Sequence, residues 1–235
     1  MALDVYVGPL STYYSGQWEN TAQRRAREAG AEYRMIRTKK VDDAVMDPVA
    51  IRPAIAGWRK LLSEALGSNL AEPLDWDEAS PDYWTARPNH DGLSALVLWA
   101  AYADCTDLVR PLELPAAIED DPALLRLQGP DAETRFSHLV RRVEFWLPGH
   151  FTFTFKADAP HGEALMFGST RALLLQLQEL NAATWQADDK MLEAWGIAAP
   201  PPGAPLQQVA RYAFSDMIGC ARMAVEHHLP MKLDY

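Results

Sequence analysis

Leu3, Val5 and Val7 alternate with Asp4 and Tyr6 at the start of the chain. Period two is the mark of a strand with one buried face, so residues 3–8 are predicted as a strand. Val5 and Val7 then face the core and Asp4 shares the face of Tyr6. A slip of one residue would bury Asp4 and expose both valines. QWENTAQRRAREAG, residues 17–30, reads as a polar helix closed by Gly30, and YRMIRT, residues 33–38, as a second strand. After the first strand the opening loop carries Tyr13, Tyr14 and Trp18. These three are the candidate binding residues, because aromatic side chains combine a large apolar body with a polar tip.

Asp47-Pro48 has the form of an N-cap followed by proline at the first helical position. Pro53 lies too deep for the same regular helix, since its ring would meet the carbonyl four residues back. A short turn is therefore expected first, then a helix from Pro53 to Leu66 with Ile55, Trp58, Leu62 and Leu66 as its apolar stripe. Residues 69–90 read as irregular. Asp91 is the expected cap of a helix over 92–104, which is apolar nearly all round and hence central. Residues 105–135 carry no clear period.

The pattern sharpens again at Val143, Phe145 and Leu147, which alternate with Glu144 and Trp146. Pro148-Gly149-His150 marks a turn, and Phe151, Phe153 and Phe155 alternate with Thr152, Thr154 and Lys156. This predicts a hairpin with three phenylalanines on the core face, followed by a third strand over 162–168. Ser169 or Thr170 caps a leucine-rich helix, and Asp188 starts a short helix closed by Gly196. APPPGAP, residues 199–205, reads as a stiff linker. The last helix, 206–228, has a stripe running from Leu206 through Val209, Ala213, Met217, Ala221 and Ala224 to His228.

These elements predict an α+β fold of mixed layers. One mixed or mostly antiparallel sheet of about five strands is flanked by helices, with a C-terminal helical segment. The strand groups 3–38 and 143–168 are expected in one sheet, because neither alone is wide enough to cover so many helices. The domain reading is a mixed domain over 1–198, the linker 199–205, and a C-terminal helix within 206–235 packed on the same domain.

Charge and composition narrow the function classes. The net charge of −10 opposes a phosphate backbone, so no nucleic-acid partner is expected. It suits a basic protein partner, because complementary fields speed encounter. The longest apolar stretch, ALVLWAAYA, is too short to span a bilayer, which needs roughly 20 residues, so no membrane partner is expected. The first residues lack a basic, uninterrupted apolar leader, and two cysteines are too few for a disulfide framework. The expected location is cytoplasmic.

Candidate chemistry is sparse. Cys105 lies between Asp104 and Asp107, neighbours that oppose a thiolate, and Cys220 shares a helix with Met217 and Ala224, so both thiols are expected to be structural. The six histidines form no H-x-x-x-H or H-E-x-x-H spacing, and His227-His228 diverge by about 100° on a helix. Asp75, Asp77, Glu78 and Asp82 fail the EF-hand pattern at Ala79, Ser80 and Ala86. No metal and no cofactor is expected. Gly168-Ser169-Thr170 lacks the phosphate-loop context, and no GxSxG elbow is present.

One resemblance supplements this reading. The pattern M-x-L-D-V-Y-V-G-x-L-x-x-Y-Y-x-G-x-W-E, residues 1–19, resembles the start of a group of uncharacterised bacterial cytosolic proteins. WLP-x-x-F and the following GS with its leucine-rich helix, residues 146–177, are similar to the same group. The resemblance covers under a third of the chain and implies no activity and no catalytic residue.

The expected function is a non-catalytic, acidic binding protein of immunity or accessory type. The alternative is a small hydrolase or transferase with a site assembled from dispersed residues, Asp4, Tyr14, Glu144 and His150 being its first suspects. A deep pocket joining polar residues from both strand groups favours the enzyme. A broad acidic and aromatic patch without a pocket favours the binder.

Overall fold

A computed structural model describes residues 3–32, 47–127 and 132–235. In chain order these form β1 (Asp4–Val7), α1 (Leu10–Ser15), α2 (Thr21–Glu28), α3 (Pro48–Leu66), β2 (Trp84–Ala86), α4 (His90–Asp104), α5 (Pro122–Leu127) and α6 (Ser137–Val140). Then follow β3 (Phe145–Leu147), β4 (Phe155–Asp158), β5 (Ala164–Ser169), α7 (Thr170–Thr184), α8 (Asp189–Gly196), α9 (Leu206–Glu226) and β6 (Met231–Asp234). The expected strand at 33–38 lies outside the described residues.

The strands make one six-stranded mixed sheet in the order β2-β1-β6-β3-β5-β4. All pairs are antiparallel except β3 with β5. The α+β expectation holds, and β1 lies in one sheet with β3, β4 and β5. The link between them is β6, whose register sets Val5 opposite Leu233 and Trp146 opposite Met231. The segment read as a C-terminal helix thus also supplies a central strand. Four residues, MKLD, are too few to show a period of their own.

The sheet is the middle layer between two cores. On one face Val5, Val7, Trp146, Met231 and Leu233 pack with α4, α7 and α9. On the other Phe145, Leu147, Leu165 and Phe167 pack with Leu10 of α1 and with Ile51, Ile55 and Leu62 of α3. Both faces of β1 are therefore covered, whereas the alternation implied one. Asp4 is 3% exposed even with the valines correctly inward. Arg87 Nε and Nη2 each donate to its carboxylate at 2.8 Å, which compensates the burial.

The 143–156 hairpin is not formed. β3 runs parallel to β5, and the hairpin is β4 with β5, setting Phe155 opposite Phe167. Residues 148–154 leave β3 as irregular backbone, and only Phe155 of the three phenylalanines lies in a strand. The three rings still pack together, Phe151–Phe153 at 5.1 Å and Phe153–Phe155 at 5.8 Å, against the second core. Burial of the rings, which the alternation does encode, is satisfied without strand pairing.

Two helix starts also differ. α3 runs unbroken from Pro48 with Pro53 inside it and Asp47 accepting from the Val49 N–H at 2.9 Å. Val49 and Pro53 are both exposed, so water solvates the carbonyl that the proline leaves unpaired. α4 is capped by Asn89, whose side chain accepts from the Gly92 N–H at 2.7 Å, and Asp91 sits in the first turn instead. The Ser169 and Asp188 caps stand as expected, accepting from Ala172 and Met191 at 3.3 and 2.9 Å.

On α9, burial pushes the Asp216 carboxyl up to about 6, against an opposing hydrogen bond from the Arg87 backbone. One of its oxygens has no hydrogen-bond partner among the described residues. A raised folded value means the folded chain holds the proton more tightly than the unfolded chain. That stability is complete below about pH 4 and is lost as pH rises through about 6. Asp216→Asn is expected to raise stability at pH 8 by about 1–3 kcal/mol, at ~1.4 kcal/mol per pKa unit, and to change little at pH 4. Urea unfolding at the two pH values checks this. An equal difference at both would refute the burial account.

Candidate functional site

α4 turns one face toward the sheet through His90, Leu93, Ser94 and Val97, the i, i+3, i+4, i+7 positions of a helical stripe. Beneath it lie Leu3, Trp146 and Leu233 from the strands. Ile118, Leu124 and the α6 residues Leu139 and Val140 form the walls. Together these side chains enclose a cavity of about 350 Å³. Its surface is mostly apolar, with a few polar groups: His90, His138, Arg142, Glu144, the Trp146 indole and Tyr235.

His138 is the most constrained of these. It is fully buried, and its backbone N–H donates to Gln176 Oε1 at 2.8 Å. That bond fixes the Gln176 amide, whose Nε2 then donates toward His138 Nδ1 at 3.1 Å and toward Ser137 Oγ at 3.1 Å. Burial, helped by Arg141, pushes the imidazole down to about 4, so the ring is neutral near pH 7. With Nδ1 accepting, the one ring proton sits on Nε2. That N–H has no partner among the described residues.

The ring rests on bare backbone. A Cβ at Gly168 would lie 2.4 Å from His138 Cδ2 and 3.0 Å from Nε2. Gly168 is the cross-strand partner of Trp146. Trp146 is 1% exposed, and its indole N–H, a donor only, is also without a partner among the described residues. The His138 ring, reaching in from α6, therefore lies over the strand position next to Trp146 on one sheet face.

At the start of α4, His90 Nε2 is another buried nitrogen of this cavity without a partner among the described residues. Its ring stacks with Tyr235 at 5.8 Å. Tyr235 is 59% exposed, and burial followed by the Glu144 charge raises its hydroxyl pKa. Asn89, next to the lining residue His90, and Arg142 of the lining hold φ of +56° and +53°, positive values that concentrate at functional sites.

Of the four suspects drawn from the sequence, Glu144 lines this cavity. The others have separate surroundings. Asp4 is held by Arg87. The Tyr14 ring lies 4.2 Å from that of His161, and Arg171 Nη1 approaches His150 Nδ1 at 3.0 Å on an exposed turn. Tyr13, Tyr14 and Trp18 do come together, half-buried: Tyr13–Tyr14 at 5.0 Å, Tyr13–Trp18 at 5.6 Å, and Trp18 edge-on to Tyr6 at 5.1 Å. Tyr13 also covers the buried Lys232, accepting from its Nζ at 3.2 Å while donating to Asp234 at 2.6 Å. Burial lowers the Lys232 pKa and raises that of Tyr13.

Both cysteines are buried and unbridged. Burial pushes the thiols up, Asp107 and Asp104 adding at Cys105 against an opposing Arg126. Among the described residues no cluster of three His, Cys, Asp or Glu is placed to hold a metal, and no helix is long and apolar enough to cross a membrane. His90, His138, Trp146 and Tyr235 were not singled out as site residues by sequence. One signal for them exists, the lone Gly168 within an apolar strand, since such a glycine marks close approach of another group. No protein-family model, curated protein or solved structure matches this chain.

Proposed function

We propose that this chain is a non-catalytic binding protein and that its binding element is the cavity under α4, taking a small, largely apolar molecule. The observation that carries the reading is the composition of the cavity. A volume of about 350 Å³ and a mostly apolar lining with a few polar groups are the usual form of a small-molecule site. At ~30 Å³ per water-sized group it holds roughly a dozen non-hydrogen atoms. The polar groups do not make a reacting set. His138 is neutral with Nδ1 engaged, and Glu144 lies beside Tyr235, whose hydroxyl its charge holds protonated. The net charge of −10 supports a basic protein partner in addition, approaching from outside the cavity.

The second reading is the enzyme. It is favoured by one observation: the cavity joins polar residues from separate elements, Glu144 beside β3, Tyr235 beside β6 and His90 of α4, although the strand group 3–38 contributes only the apolar Leu3. A carboxylate and an imidazole in one cleft are the elements of proton transfer. Turnover of a bound small molecule, lost in Glu144→Gln, would establish that reading over the first.

The test of the binding reading uses toluene and the indole resonance of Trp146, assigned by Trp146→Phe. A saturable shift is expected in the unmodified protein. Ser94→Trp, which fills the cavity from α4, is expected to weaken toluene binding at least ten-fold while thermal unfolding shows the variant folded. No saturable shift, or equal binding by a folded Ser94→Trp, would sink the proposal.

A further inference from the structure

Two N–H donors, on His138 and Trp146, are buried in the lining of one cavity with no acceptor among the described residues. Buried donors are nearly always paired, and an unpaired one carries a desolvation cost. Neither can be relieved by a change of role. The indole nitrogen only donates, and the Gln176 amide on Nδ1 of His138 leaves Nε2 as the protonated nitrogen. The backbone contact at Gly168 holds the imidazole in place, and the Trp146–Gly168 register puts the second donor one strand away, about 4.8 Å between strand axes.

Resting on the small-molecule reading above, we infer that the cavity selects a neutral ligand bearing one carbonyl-type acceptor, which docks on the His138 and Trp146 N–H groups with its apolar body along α4. A carbonyl oxygen has two lone pairs and can take both donors. An ammonium offers no acceptor at all. A carboxylate offers acceptors but meets the Glu144 charge in the same lining, and leaving water costs an ion far more than a neutral carbonyl. The cation of the lining, Arg142, is exposed. A wholly apolar ligand would fill the volume and leave both donors as they are.

Three probes of nearly one shape separate these cases: benzylacetone (a ketone), hydrocinnamate (its carboxylate counterpart) and isopentylbenzene (the hydrocarbon). Benzylacetone is expected to bind roughly ten-fold or more tighter than either of the others, since a site built around donors discriminates against an analogue that lacks the acceptor. Its binding should move the Trp146 indole proton downfield, and isopentylbenzene should not. His138→Phe and Trp146→Phe, which keep a ring and remove the donor, should each reduce the preference of the ketone over the hydrocarbon. The probe series on the unmodified protein stands even if a variant fails to fold. Equal binding of ketone and hydrocarbon would overturn the inference and leave the apolar site intact. Tightest binding of hydrocinnamate would overturn it in favour of an anion site. Failure of all three together with toluene would remove the cavity reading itself.

Discussion

Gly168→Ala is expected to destabilise the chain by about 2–4 kcal/mol, although alanine normally improves a strand position over glycine by roughly 0.5–1 kcal/mol. The added methyl would lie 2.4 Å from His138 Cδ2 and 3.1 Å from Val143 Cγ1, so something must move. The imidazole cannot swing freely. Its backbone N–H and its Nδ1 are both held by Gln176, at 2.8 and 3.1 Å. Overpacking of a fixed neighbour costs about 1–3 kcal/mol, and loss of the Gln176 bond adds about 1 kcal/mol. The decisive measurement is a double-mutant cycle. In a His138→Ala background the clash is gone, and Gly168→Ala should become neutral or mildly stabilising, a coupling of about 2 kcal/mol or more between contacting residues. A Gly168→Ala variant as stable as its parent would mean that the imidazole is not fixed on the strand. The donor geometry of the cavity would fall with it.

The same contact shows what was legible in the sequence. The layered α+β fold was, because the apolar stripes of α7 and α9, the all-round apolar α4 and the inward valines of β1 state what must be buried. Whole-element caps were also legible at Ser169 and Asp188, where a short polar side chain sits directly ahead of a helical period. Strand pairing was not. Phe151, Phe153 and Phe155 announce burial but not partner, and β3 takes its parallel neighbour 22 residues later, Phe167 opposite Phe145. Strands β2 and β6, three and four residues long, are fixed by their neighbours and not by any pattern of their own. The site followed the same division. Glu144 was suspected because it ends a turn beside a strand. His138 and Trp146 were not, because their significance lies in missing hydrogen bonds, which depend on every surrounding group. In the sequence Gly168 ends a strand and precedes a helix cap, and its lack of a side chain is the informative feature.

Arg87→Met is expected to cost about 3–5 kcal/mol, because it leaves the Asp4 carboxylate buried without its cation. The side chain of Asp4 is 5% exposed, and both of its oxygens accept from the guanidinium at 2.8 Å. The antiparallel register also sets Asp4 directly opposite Asp234, an arrangement in which like charges repel. Each carboxylate has its own compensation. Asp234 accepts from Tyr13, which in turn is bonded by Lys232, and Asp4 depends on Arg87. The charge of Asp216 on α9 lies close enough to Asp4 to be felt. Methionine keeps the length of the arginine stem and its packing, so the loss reports the charge and the two hydrogen bonds and not a cavity. The backbone of Arg87 stays available to Tyr212, which donates to its carbonyl at 2.9 Å. Adding Asp4→Leu to Arg87→Met should recover most of the stability, since replacing both members of a buried pair by apolar groups is commonly neutral or better. Urea unfolding of the two single variants and the double variant measures the cycle. A single Arg87→Met variant within about 0.5 kcal/mol of the parent, the scale of an ordinary surface change, would show that the pair is solvated and that β1 is not sealed on its second face.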